Sequence, residues 1–118
     1  VSSMGAGGKT DPTKIRVADL YDTMVCKLAF YIRKRLKKLS VGAGIKAVFS
    51  TEEMDKNSLI LTDGSNFKHS AYGTISYLPA AFGGVAASVV IRDLIGIKIS
   101  TEKRPKNLRK SRISKPGQ

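Results

Sequence analysis

The stretch Ser3-Met4-Gly5-Ala6-Gly7-Gly8-Lys9-Thr10-Asp11-Pro12-Thr13 constrains the fold of this chain more than any other. Glycine reaches the left-handed backbone that a sharp bend requires, so Gly5, Gly7 and Gly8 mark the end of a strand and a tight turn. A turn of this kind follows a buried strand, and only Val1 and Ser2 stand before it. The chain is therefore expected to be the later half of a larger α/β unit, with its leading strand supplied largely from upstream.

The ending Gly8-Lys9-Thr10 suggests a phosphate loop, G-x-x-x-x-G-K-S/T, but Ser3 stands where the first glycine belongs. A phosphate loop also runs straight into a helix whose N-terminus faces the phosphates. Here Asp11-Pro12-Thr13 signals a turn, and residues 14–20 alternate polar and apolar with Ile15 and Val17 inward. That is a strand pattern. The glycines are expected to bend the backbone at a strand end beside a ligand.

Residues 23–39 carry Val25, Leu28, Ala29, Ile32, Leu36 and Leu39 at helical spacing, with Thr23 placed to cap. The opposite face of this helix holds Lys27, Arg33, Lys34, Arg35, Lys37 and Lys38. The late lysines complement the helix dipole, and the cluster also suits RNA phosphates. Cys26 reads as a small core residue, with no base near it in sequence. Residues 40–44 form a loop, and Ile45, Ala47, Val48 and Phe49 form a buried strand. Glu52 and Glu53 follow; neighbours on extended chain point apart, so they read as a solvated strand end and not as a carboxylate pair.

Residues 54–73 are polar and irregular except for Leu59-Ile60-Leu61, with a turn at Asp63-Gly64. Phe67, His69 and Tyr72 could stack on a base, without specific spacing. Residues 74–96 form the second strong element. Pro79 suits a first helical turn, the run through Ile91 is apolar on nearly every face, and Gly96 fits a helix stop. Phe82, Gly84 and Ser88 mark this helix as a core or dimer helix, with Ala80, Gly84 and Ser88 forming a flat strip. The apolar run contains Pro79, Gly83 and Gly84 and falls short of the roughly 20 residues of a membrane span. Residues 97–118 form a basic tail, expected to be disordered. Two units follow: 1–96, folded, and 97–118, tail.

The 118 residues hold 21 Lys+Arg against 9 Asp+Glu, a net charge of +12 that favours polyanionic partners. One cysteine excludes a disulfide framework and suits a reducing compartment. One cysteine with one histidine leaves no zinc site within this chain.

Four blocks together resemble the ThiF/MoeB/HesA superfamily of adenylating enzymes, and within it the tRNA threonylcarbamoyladenosine dehydratases. They are Gly5-Ala6-Gly7-Gly8-Lys9 with Asp11-Pro12-Thr13 and Ile15; Val17-Ala18-Asp19-Leu20; Val48-Phe49-Ser50-Thr51-Glu52; and Tyr72-Gly73-Thr74-Ile75-Ser76-Tyr77-Leu78-Pro79 with Phe82-Gly83 and Ala87-Ser88. The resemblance spans roughly residues 1–96. It implies the C-terminal part of a Rossmann-like ThiF/MoeB-type domain, with about three strands, two main helices and the basic tail. It implies an ATP-dependent activity that adenylates the carboxylate of threonylcarbamoyladenosine in tRNA and closes it to the cyclic form. The alternative is a non-catalytic basic RNA-binding protein.

The family's nucleotide-binding loop, ATP-contacting arginine and lysine, and magnesium-binding aspartate fall upstream of Val1. ATP and magnesium would therefore be bound mainly by a missing N-terminal half, and this stretch alone is expected to be inactive. No catalytic or metal-binding residue is expected in it. Gly5, Gly7, Gly8 and Lys9 are expected near substrate, at the C-terminal end of a strand. The tRNA-contact candidates are Arg33, Lys34, Lys37, Lys38, Arg109, Lys110 and Arg112. The implied partners are tRNA, the N-terminal half and a second copy, with a sulfur-relay protein left open as for some relatives. The implied compartment is the cytoplasm.

Overall fold

The computed structural model describes residues 1–54, 57, 59–61 and 70–109. Strand β1 (Ser2–Ser3) lies parallel to β3 (Lys46–Ser50), and β2 (Ile15–Asp19) lies antiparallel to β3 on its other side. A separate antiparallel pair joins β4 (Leu59–Leu61) to β5 (Ser70–Tyr72), where the sequence suggested a loop with one apolar piece. The long helices are α1 (Lys27–Lys38) and α2 (Tyr77–Leu94), and a short α3 spans Lys106–Arg109.

Strand periodicity divides the central sheet into two faces. Ala18 pairs with Ala47 and Arg16 with Phe49. Ala18, Ala47 and Phe49 form a core with Met4, Leu20, Cys26 and Ala29, so this face lies under α1. Val17 pairs with Val48 on the opposite face. There Val48 packs with Leu78 and Phe82 of α2, joined by Ile15, Val17, Val85 and Ala86. The result is a helix–sheet–helix sandwich, the α/β class expected. Residues of β3 from Ala47 to Ser50 are all buried because this strand is central and covered on both sides.

Helix α1 starts three residues later than a cap at Thr23 suggested. Residues 20–22 form a single 3-10 turn, Val25 turns through φ +60, and Cys26 takes the N-cap position. Thr23 is buried instead, its hydroxyl donating to Leu20 O at 2.7 Å. The later start rotates the buried stripe to Cys26, Ala29, Ile32, Arg33 and Leu36, which leaves Val25, Leu28 and Leu39 exposed. Arg33 thus departs from the expected outer face: it is only 9% exposed, and its guanidinium donates to Thr23 O at 3.3 Å and to the Thr23 hydroxyl. Lys34, Lys37 and Lys38 stay exposed as expected.

Helix α2 ends as the sequence suggested. Gly96 adopts φ +80, and the N–H groups of Gly96 and Ile97 close on Asp93 O and Arg92 O. With 18 residues, α2 is long and apolar enough to cross a membrane by length and composition alone, a test that a core helix also passes; in this fold Leu78, Phe82 and Val89 are packed in the core. Contrary to a helix buried on all sides, Val90, Ile91, Leu94 and Ile95 are exposed. Gly84 and Ser88 lie on exposed surface while Phe82 is buried, so the three do not share an environment.

The described tail is ordered against the sheet, a second correction. The Glu102 N–H donates to Val17 O at 2.8 Å, bridging onto the free edge of β2, and Glu102 and Lys103 approach Arg16 and Asp22 at 3.5 and 3.4 Å. An unpaired strand edge offers backbone donors and acceptors that a following segment can satisfy, which composition alone does not reveal. Arg109 ends α3; Lys110, Arg112, Phe67 and His69 lie outside the described residues.

Candidate functional site

The glycine-rich loop leaves the C-terminal end of β1 and is tied down from three directions. Gly8 takes φ +71 and donates its N–H to Gly73 O at 2.8 Å. Lys9 is 3% exposed, and its ammonium donates to Ser50 O at 3.3 Å, at the end of β3. The Tyr77 hydroxyl at the start of α2 donates to Thr10 O at 2.8 Å. Asp11 caps the turn that follows, accepting from the Thr13 N–H at 2.9 Å and the Thr13 hydroxyl at 2.6 Å. A 3-10 turn at Pro12–Lys14 and then β2 come next, so no helix starts here and the phosphate-loop geometry is absent.

Glu52 is the residue that sequence reasoning missed. Its carboxylate accepts from the Thr10 N–H at 3.0 and 3.1 Å, from the Thr10 hydroxyl at 3.3 Å and from the Asp11 N–H at 2.8 Å. These contacts span 41 and 42 residues, so no local pattern could signal them. Desolvation pushes the Glu52 carboxyl up, but the N–H groups of Asp11 and Thr10 and the Thr10 hydroxyl outweigh it and hold the group below its ordinary value. Asp11 is also lowered, first by the Thr13 hydroxyl and then by the Thr13 N–H. Burial lowers the Lys9 ammonium, against the opposing pull of Cys26 and Glu52.

Gly5, Gly7 and Lys9 line a cleft of about 140 Å³ together with Val25, Cys26, Lys27, Leu28 and Met54. Gly8 lies behind the cleft and forms the turn. The opposite wall is the first turn of α1. There Cys26 Sγ accepts from the Ala29 N–H at 3.5 Å, and the backbone N–H groups of a helix start carry partial positive charge. Val25 holds the left-handed conformation that redirects the chain into this helix. For a β-branched residue that costs about 1–3 kcal/mol. The surface of the cleft is mainly apolar, and the Lys9 ammonium is engaged by Ser50 O. Ligand pockets for whole nucleotides occupy roughly 300–1,000 Å³, so this cleft accommodates only part of one.

Among the described residues no group of three or more His, Cys, Asp or Glu is gathered to hold a metal, and the carboxylates nearest the cleft already accept from backbone N–H groups.

A sheet with helices on both faces and a glycine turn at the end of a parallel strand is the arrangement of a ThiF-like α/β domain. Comparison with known proteins makes this specific. No family model matches the chain. It is similar to tRNA threonylcarbamoyladenosine dehydratase 2 of Saccharomyces cerevisiae, 49% identical over 55 residues, which are 47% of this chain and 12% of that protein. It is similar to the Escherichia coli tRNA threonylcarbamoyladenosine dehydratase, 32% identical over 112 residues, covering 80% of this chain and 42% of that one. The crystal structure of the E. coli enzyme, TcdA, in complex with AMP superposes with a TM-score of 0.65 at 31% identity, over 81% of this chain and 37% of that chain. TcdA has also been solved in complex with ATP. Over the matched stretch the chain is similar in sequence and fold to the tRNA threonylcarbamoyladenosine dehydratases. It spans about two fifths of the length of its bacterial relatives.

Proposed function

We propose that this chain is the C-terminal part of an ATP-dependent enzyme that adenylates the carboxylate of threonylcarbamoyladenosine in tRNA and cyclises it. The observation that carries the reading is the superposition on TcdA at 31% identity over four fifths of the chain. A carboxylate is a poor electrophile until its oxygen becomes a leaving group, and transfer of AMP with loss of pyrophosphate supplies one. Attack from within the same nucleoside then closes the ring and expels AMP.

Within this reading Gly5, Gly7 and Lys9 form the substrate-side rim. The short loop lets a ligand approach backbone, and Lys27 with the α1 N-terminus favours its negative charge. Gly8 and Glu52 keep the rim rigid, which limits reorganisation when the substrate binds. The size of the cleft supports placing most of the ATP-binding groups outside these 118 residues. The exposed apolar side of α2 supports a second copy of the protein covering Gly84 and Ser88 in a homodimer. Lys34, Lys37 and Lys38 supply positive surface for tRNA, and the cytoplasm, where tRNA is modified, is the proposed compartment. The comparisons give the non-catalytic alternative no support.

The test is a chimera of TcdA in which the matched stretch is replaced by this chain, expressed in cells lacking the native enzyme. Nucleoside mass spectrometry of bulk tRNA is expected to show the cyclic product. A soluble chimera that yields only the open form contradicts the reading.

A further inference from the structure

A second groove, of about 450 Å³, opens on the other side of Val25 and lies between α1 and the docked tail. Its lining includes Lys27, Arg33 and Arg104 and no carboxylate. Phe30 and Tyr31 form its aromatic wall; they are 40% and 59% exposed, and their rings meet edge to face with centroids 5.4 Å apart. Arg104 donates to Leu108 O at 2.8 Å through one terminal nitrogen, while its Nε is buried and, among the described residues, is the single buried side-chain nitrogen or oxygen with no partner. Arg33 loses proton affinity through burial first and then through the nearby Arg104. Arg104 and Arg33 both line the groove, and among the described residues its lining holds no carboxylate, an arrangement that an anion would complete.

We propose that this groove holds one unpaired nucleotide of an RNA strand, its phosphate on Arg104 and its base stacked on Tyr31, with the Phe30 ring beside it. The chemistry is specific to that occupant. Guanidinium forks match phosphate oxygens, exposed aromatic rings stack bases of any identity, and the volume is that of a nucleotide. An acidic peptide would use the cations but leave the aromatic wall idle. This inference rests on tRNA being the substrate, and it places the strand on the α1 side of the sheet, next to the substrate cleft, with which the groove shares Val25, Cys26 and Lys27.

The test is fluorescence anisotropy of the full chain with labelled single-stranded oligouridylate, with no ATP and no modified nucleoside, so that its outcome is independent of turnover. Tyr31→Ala is expected to weaken binding roughly tenfold without altering the salt dependence, and Tyr31→Phe to restore it. Arg104→Ala is expected to weaken binding by a similar factor and to reduce the slope of log affinity against log salt by about 0.7. Lys98→Ala, an equal change of charge at an exposed site beyond α2, is expected to cost less than about threefold. Circular dichroism of each variant checks the fold. Equal losses for Tyr31→Ala and Lys98→Ala, or displacement of the RNA by polyglutamate at equal charge, would overturn the proposal. Either result would leave the dehydratase reading standing, because the chimera tests that separately.

Discussion

Helices α1 and α2 cover opposite faces of one three-stranded sheet, yet they meet the outside differently. α1 presents Lys27, Lys34, Arg35, Lys37 and Lys38 to solvent, whereas α2 presents Val90, Ile91 and Leu94. The stripe of α1 is buried, and its outer face mixes these cations with the exposed Leu28, Phe30, Tyr31 and Leu39. α2 fills the core through Leu78, Phe82 and Val89 and leaves an apolar side that water does not favour. One side of the sandwich therefore presents a cluster of cations and the other an apolar strip.

The sharpest way to test that contrast is to truncate one residue on each side of α2. Phe82 is 2% exposed against Val48 and Leu78, and Phe82→Ala should cost about 3–5 kcal/mol in urea denaturation. Leu94 is 80% exposed, and Leu94→Ala should stay within about 0.5 kcal/mol for the isolated chain. A comparable loss at both positions would mean that the outer side of α2 is already covered in solution.

On α1 the corresponding change is Arg33→Leu. It removes a charged donor from the Thr23 carbonyl and hydroxyl and should cost about 1.5–3 kcal/mol by the same assay. No effect would place Arg33 outside the core of the α1 face. A smaller effect of opposite sign is expected at the junction between the two clefts. Val25→Gly relieves a β-branched residue at φ +60 and should raise stability by about 1 kcal/mol, read as a shift in the urea midpoint.

The smallest effect is electrostatic. Glu52 is held below its ordinary value of 4.5, so its clamp on the glycine loop stabilises the fold above that pH and is lost as pH falls through the lowered folded value. Asp11, lowered from 3.8, acts in the same direction. Stability should therefore decline on acidification below about pH 4.5, and Glu52→Gln should flatten the decline. An unchanged pH profile in the Glu52→Gln protein would show that the clamp does not form in solution.

The strands at residues 15–19 and 46–50, the loop between α1 and β3, and the Gly96 stop were legible because alternation and turn chemistry are local signals. The start of α1 was not. Thr23 is a better capping residue than Cys26 by propensity, and tertiary burial of Thr23 and Arg33 overrode it. The tail's contact with β2 was hidden for a related reason: a free strand edge exists only after the sheet has formed. In the candidate site the glycines and Lys9 were visible as a motif. Glu52 was not, since its role depends on two loops brought together from 41 residues apart.

The central claim is that this chain is part of an adenylating tRNA-cyclising enzyme, and the most direct measurement is the fate of ATP. With the purified chimera and tRNA carrying threonylcarbamoyladenosine, the account predicts one AMP and one pyrophosphate released for each cyclic nucleoside formed. Release of ADP and phosphate, or release of pyrophosphate that is indifferent to the modified nucleoside, would contradict it.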